Sequence, residues 1–232
     1  MSDPFSFFGK RLVINLDDAV ERLSGFNDEM LSLGVNDVDR FTAYPHNEEA
    51  LKLPHKVNSG ADISHYKLVE LAKENGWENV FVFEDDFRAR PNAYDPEIFL
   101  ACTDYLSSHD WDFFNIGYMV CLHHCPKLWY SKLNKRHAKI FDLSGVTRLS
   151  EHLVQFDHYT LRSNTAVAYN HTSYDKILNS YDPLADIAVD KWVSSNFKTI
   201  GTVPCMATWS SYHPMNQKKI MAHSDKLLAT VA

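Results

Sequence analysis

Residues 79–86, Asn79-Val80-Phe81-Val82-Phe83-Glu84-Asp85-Asp86, decide the fold. Val80 to Phe83 are aromatic and β-branched, and Asn75-Gly76 just ahead is a turn signal, so the first half reads as a buried strand. Glu84, Asp85 and Asp86 then follow without a break. Three like charges at the end of a buried strand repel one another and resist leaving water. Two readings are open. The acids solvate a strand-to-loop exit, or they face a divalent cation, which prefers oxygen ligands and is often bound together with a substrate's phosphates. In an open α/β sheet, the carboxyl ends of the strands are where ligands bind.

Working outward toward the N-terminus, Arg11–Leu16 (RLVINL) is a first buried strand. Asp18 with Glu21 is expected to cap a helix that carries Val20, Leu23, Phe26, Met30 and Leu31 on one face and stops at Gly34. Asp18 and Arg22 have the spacing of an i,i+4 ion pair. Residues 35–43 suggest a short second strand. A helix opening near Ser59 carries Ile63, Tyr66, Val69 and Ala72 at helical spacing.

Toward the C-terminus, Pro96 opens a helix, residues 111–118 form a strand, and residues 164–170 form another. A helix around residues 173–178 follows, then one from about Leu184 with Ile187, Lys191 and Trp192 at helical spacing, then a last strand over 198–205. Strands alternating with helices over most of the length argue one α/β domain spanning 1–232. The stretch at about 119–160 breaks the pattern. From Met119 to Ser150 it sets Lys127, Lys132, Lys135, Arg136, Lys139 and Arg148 against Asp142, and it reads as an insertion or acceptor loop. Within it, Cys121, His123, His124 and Cys125 lack a second pair at zinc-site spacing.

The chain carries a formal charge of −7, which does not advertise nucleic acid or an anionic membrane as partner of the whole surface. Four cysteines in 232 residues do not make a disulfide framework. With no apolar run long enough to cross a bilayer and no leader pattern at the N-terminus, a cytoplasmic setting with reduced thiols is the expectation.

Several groups besides the acidic triplet bear chemistry. Asp17, Asp18 and Arg22 follow the first strand, as caps and an ion pair or as part of a nucleotide site. Ser64 and His65 stand near a helix N-terminus, which favours phosphate; the alternative is that His65 packs beside the sheet. Asp190 is an acid on an amphipathic helix, on a solvated face or as a general base within reach of an acceptor hydroxyl. His213 and His223 are candidates for a further metal ligand. A phosphohydrolase needs more carboxylates converging on two metals, and the chain has one dense acid cluster.

The blocks VINLDDAVERLSGFNDEMLSLGV, DVDRFTA, GADISHYKLVELA, VFVFEDD, WDFFNIG, TAVAYN and DPLADIAVDKW stand in the order found in glycosyltransferase family 25, the lipooligosaccharide-biosynthesis and procollagen-type galactosyltransferases. The chain resembles that family over most of residues 11 to about 210. The resemblance implies a single GT-A-like, Rossmann-type domain with a mostly parallel sheet flanked by helices. It implies a nucleotide-sugar donor, a UDP-sugar first among them, used with Mn²⁺ or Mg²⁺, and inverting transfer of a hexose or pentose to a saccharide hydroxyl. By position, Asn15, Asp17 and Arg22 fall in the nucleotide region, and Ser64 and His65 near the donor. Glu84 and Asp86 face ribose and metal, His213 is a further metal ligand, and Asp190 is the base. The sequence departs from the pattern at Asp18, where the family has Arg, and at Asp62-Ile63, where it has Cys-Leu. A modified nucleobase of DNA as acceptor, and a non-catalytic nucleotide-sugar or glycan-binding module, are the alternatives.

Overall fold

A computed structural model describes residues 3–48, 52, 59–120, 145–157, 161–209, 225–226 and 228–231. The acidic stretch forms β3 (Asn79–Glu84), a strand buried on both faces. Its alternation sorts the side chains. Phe81 and Phe83 face one layer of helices, and Val80 and Val82 face the other. Burying four such side chains stabilises the fold by about 1.5–3 kcal/mol each.

Around β3 an eight-stranded sheet runs in the order β2 (Asp39–Thr42), β1 (Lys10–Asn15), β3, β10 (Ala166–Asn170), β5 (Phe113–Asn115), β11 (Lys198–Thr202), β8 (Leu153–Asp157), β7 (Val146–Arg148). The ladders from β2 through β1 to β3 are parallel, as is β5 with β11. β10 runs against both of its neighbours, and β8 against both of its own. Six of the eight strands therefore point one way. Two short hairpin-like pairs stand apart, β4 (Phe87–Ala89) with β12 (Ala207–Trp209) and β6 (Met119–Val120) with β9 (Leu161–Arg162).

Helices cover both faces. α1 (Val20–Ser32) and α3 (Pro96–Ser107) pack with Phe26, Met30, Phe99, Cys102 and Leu106 against Val13, Phe81, Phe83 and Phe114. Phe5 and Phe8 join this layer, with Phe5 edge-on to Phe81 at 5.0 Å. On the other face lie α2 (Ser59–Glu74), α4 (His171–Ser180) and α5 (Val189–Asn196), which present Leu68, Val69, Ile177, Val193 and Phe197. A third apolar cluster, with Tyr118, Val154, Phe156, Leu161 and Leu228, closes the β8 end.

Local chemistry moves several expected boundaries. The cap residue of α1 is Ala19, with no side-chain cap, so Asp18 does not cap the helix, and Arg22 pairs with Asp85 rather than Asp18. Val20 and Leu31 are exposed, leaving Phe26 and Met30 as the buried stripe. The helix expected from Leu184 starts at Val189. Asp182 accepts instead from the Leu184 amide at 2.8 Å, an Asx turn that competes with helix. β5 stops at Asn115 because that side chain folds back to accept from the Gly117 amide and donates to the Ser163 carbonyl. β4, β6, β7, β8, β9 and β12 had no sequence signal strong enough to be expected. Of the basic segment and the CLHHC motif, residues 121–144 lie outside the described residues.

Candidate functional site

The carboxyl ends of β1 and β3 and the first turns of α2 enclose a cleft of about 190 Å³. Its walls include Asn15, Arg22, Tyr44, Gly60, Glu84 and Asp86. Parallel β1 and β3 bring their last residues to one edge, with Ile14 level with Glu84. The cleft lies where open α/β sheets bind ligands.

The three acids are not equivalent, because the strand period sends them apart. Asp85 continues the face of Phe81 and Phe83 and is buried. It accepts from Asn15 Nδ2 at 2.7 Å and pairs with Arg22 Nη1 at 3.2 Å. Burial pushes its carboxyl above the usual range; the Asn15 hydrogen bond and the Arg22 charge pull it back, and Glu84 beside it pushes it further up. Asn15 also donates to the Ala19 carbonyl at 3.1 Å and accepts from Arg40 Nε at 3.0 Å. Asp85 thus joins β3 to β1 and α1. Glu84 continues the face of Val80 and Val82, toward α2, and keeps its side chain 32% exposed. Asp86 is the second residue of the turn into β4 and lines the cleft with Glu84.

The opposite wall is the loop 43–46, held against α2 at two points. Ser64 Oγ accepts from the Tyr44 amide at 2.8 Å and donates to the Gly60 carbonyl at 2.7 Å. Gly60 lets the backbones close: a Cβ there would stand 2.7 Å from the Tyr44 carbonyl oxygen and 3.3 Å from the His46 nitrogen. Tyr44 is 41% exposed on this wall.

Of the residues expected from sequence, Asn15, Arg22, Ser64, Glu84 and Asp86 line the cleft together. Asp17 is not among its walls; it pairs with Arg40 and stays exposed. His65 lies behind the wall, fully buried, with Nδ1 2.7 Å from the Tyr169 hydroxyl and Nε2 3.6 Å from Glu84 Oε1. Asp190 is not a wall residue either. It stands in the first turn of α5 and accepts from the Ser163 amide at 2.8 Å and the Lys191 amide at 2.7 Å. The first contact anchors Ser163, whose φ is 77°. His213 and His223 lie outside the described residues. β12 ends at Trp209 opposite Phe87, the residue after Asp86.

Tyr44, His46 and Gly60 are wall residues that sequence reasoning passed over, and Asp62, not itself a wall residue, anchors a neighbouring helix. Asp62 is buried, and its Oδ1 accepts at 2.7 Å from the amide of Val189, the first residue of α5. Since Ala188 offers α5 no side-chain cap, Asp62 supplies one from another helix. The only sequence signal for it is its departure from the family pattern at this position.

A hard divalent cation fits the donor set in one form. Among the described residues, no group of three or more His, Cys, Asp or Glu is arranged to hold a metal ion. Asp85 is committed to Asn15 and Arg22. Glu84 and Asp86 both bring carboxylates to the cleft, and one or two carboxylates suit a Mg²⁺-like ion completed by water and substrate phosphates.

No protein-family model matches the chain, and no curated protein matches it. The resemblance to glycosyltransferase family 25 therefore stands on the ordered blocks of sequence alone. Among solved structures, the fold is similar to that of a glycosyltransferase involved in the glycosylation of the major capsid of PBCV-1, with TM-score 0.45, 8% identity, and 95% of this chain and 98% of that chain covered. It is similar to A197 from STIV, with TM-score 0.41, 8% identity and coverage of 87% and 93%. It is also similar to the inositol-1-phosphate CTP transferase from T. maritima, with TM-score 0.38, 13% identity and coverage of 95% and 78%. These likenesses are of overall chain course and carry no statement about activity.

Proposed function

We propose that the chain is a glycosyltransferase that holds a nucleotide-sugar in this cleft and passes the sugar to a saccharide hydroxyl. The observation that carries the reading is the convergence of Glu84 and Asp86 with Arg22 and the opening turns of α2 at the carboxyl edge of a sheet. Acidic side chains at such an edge suit a metal–diphosphate, and a helix N-terminus suits its negative charge.

In this reading Asp86, with Glu84, would hold Mn²⁺ or Mg²⁺, and His213 would be a further ligand. When bound, the ion stabilises negative charge on the departing diphosphate. The acceptor oxygen bonds to the anomeric carbon as the bond from that carbon to the diphosphate oxygen breaks, which inverts the centre. The acceptor's proton goes to Asp190. A carboxylate has about four lone-pair sites, so the two amide contacts orient Asp190 without by themselves silencing it. Asn15 and Arg22 hold the nucleotide side, through Asp85 and directly.

Thermal shift with UDP, GDP, CMP and their sugars, with and without Mn²⁺, tests the reading. A donor at 100 times its Kd stabilises by about 2.7 kcal/mol. At roughly 2–4 °C per kcal/mol for a chain of this size, the rise is about 5–11 °C. Asp86→Ala is expected to lose the Mn²⁺-dependent part of that rise and all transfer. No rise with any donor overturns the proposal. A second reading, binding without transfer, draws on Asp190 lying outside the cleft walls. Transfer abolished in Asp190→Asn with binding retained excludes that reading; transfer at the wild-type rate removes Asp190 as the base. A nucleic-acid acceptor, in place of a saccharide, shows itself as steep salt dependence.

A further inference from the structure

We propose that His65 is a positioning residue: a buried imidazole, held by Tyr169 and with its proton on Nε2, that restricts where the Glu84 carboxylate points at the wall of the cleft. The inference rests on the reading of the cleft as a nucleotide-sugar site.

His65 and Tyr169 come from different layers and are both completely buried. His65 is on the second turn of α2, and Tyr169 is on β10, paired in register with Val80 of β3. Their side chains meet at 2.7 Å through Nδ1. The far ring nitrogen, Nε2, is buried without a hydrogen-bond partner, and the nearest acid is Glu84 Oε1 at 3.6 Å.

The proton's location follows from which contacts attract. Burial, reinforced by the negative charges of Glu84, Asp190 and Asp62, pushes the Tyr169 hydroxyl well above its usual value, so it remains a donor. If it donates to Nδ1, that nitrogen is bare and a neutral ring carries its hydrogen on Nε2. The Nε2–H then points at a carboxylate. In the other tautomer, the Nε2 lone pair faces a negative oxygen in a low-dielectric interior, which is repulsive. One tautomer makes both contacts favourable and the other spoils one of them.

At 3.6 Å the Nε2–Oε1 contact is too long to be a hydrogen bond. Its closure needs only a small turn of a Glu84 side chain that is one-third exposed. A buried donor with no acceptor is costly, so Glu84 is drawn inward, and such contacts commonly tighten when ligand binds. His65 never reaches the ligand. It acts by restricting where Glu84 points, and its loss raises the donor KM while kcat changes little.

The experiment is long-range ¹H–¹⁵N NMR of the histidine rings. His65 is identified among the twelve histidines by comparison with His65→Gln, and folding of each variant is checked by circular dichroism. In the wild type, His65 is expected to be protonated on Nε2 alone. In Tyr169→Phe, which deletes only the hydroxyl, the ring is expected to keep its proton on Nε2 through Glu84, while the Nδ1 resonance moves with the loss of its hydrogen-bond donor. His65→Gln, which keeps an N–H near the Nε2 position, is expected to retain UDP affinity within about twofold, whereas His65→Leu weakens it several-fold. His65→Leu combined with Glu84→Gln is expected to be no weaker than Glu84→Gln alone, since neighbours acting as one unit are not additive. A wild-type proton on Nδ1, or additive effects of His65→Leu and Glu84→Gln, overturns the proposal. If the wild type binds no nucleotide, the cleft reading fails, and the ring tautomer still tests the positioning geometry.

Discussion

Gly60→Ala sets helix propensity against the geometry of the cleft. Within a helix the exchange removes backbone freedom from the unfolded chain and stabilises by at most about 1 kcal/mol. Here the new methyl would stand 2.7 Å from the Tyr44 carbonyl oxygen, 3.2 Å from the Pro45 carbonyl carbon and 3.3 Å from the His46 nitrogen. All three are backbone atoms, so no side chain can swing aside. Ordinary contact begins near 3.4 Å, so the loop must retreat by roughly 0.7 Å, the difference between 3.4 and 2.7 Å. The Ser64–Tyr44 hydrogen bond, now 2.8 Å, then lengthens past the useful range. Overpacking costs about 1–3 kcal/mol, so the net is a loss of roughly 0–2 kcal/mol and a fall in Tm of about 0–8 °C. The sharper readout is hydrogen exchange at the Tyr44 amide. Loss of a contact worth about 1 kcal/mol speeds exchange about fivefold, and nucleotide binding should weaken with it, since Tyr44 and His46 are walls of the cleft. A Tm raised by 2–4 °C, with Tyr44 as protected as before, would show that the loop is not clamped as described.

Gly201→Ala should destabilise for a related reason in a different place. A Cβ there would lie 2.6 Å from Tyr118 Cε1 and 3.0 Å from Phe156 Cε2, and both rings are fully buried. A cost of about 1–3 kcal/mol lowers Tm by roughly 2–12 °C; an unchanged or higher Tm contradicts it. Asp85→Asn tests the buried acid through pH. Because folding raises this carboxyl's pKa, the native state holds its proton more tightly than the unfolded chain. Its contribution is therefore full below the ordinary value of about 4 and is lost as pH rises through the raised one. Urea unfolding should show the variant gaining on wild type between pH 4 and pH 7; a gap moving the other way means that Arg22 and Asn15 outweigh burial.

The strand part of NVFVFEDD was legible because four apolar residues admit few other homes, and the observed β3 ends at Glu84 as the acids begin. The same alternation, carried two residues further, separates Glu84 from Asp85, so the division of the acids was also within reach of the sequence. The contacts that complete the site were not. His65 meets Tyr169 across 104 positions, and Asp62 meets Val189 across 127. Local pattern carries no information on such pairings. The late start of α5 was missed because Asp182 has the same composition whether it caps a helix or closes an Asx turn. The reversal of β10 was missed because a four-residue apolar run reads the same in either direction.

That reversed strand has a consequence for how the chain is made. β10 fills the edge of β3 opposite β1, and its first residue, Ala166, lies 82 positions after Glu84. At about 5–20 residues per second, the ribosome needs roughly 4–16 s to synthesise that interval. During it, β1 can already cover one side of VFVF, while the other side presents unpaired backbone on an apolar, uncharged segment, the pattern that seeds strand-to-strand aggregation. The three carboxylates that follow VFVF directly therefore serve a nascent protein before they serve a finished one: they act as gatekeepers at the end of its most adhesive segment until its partner arrives.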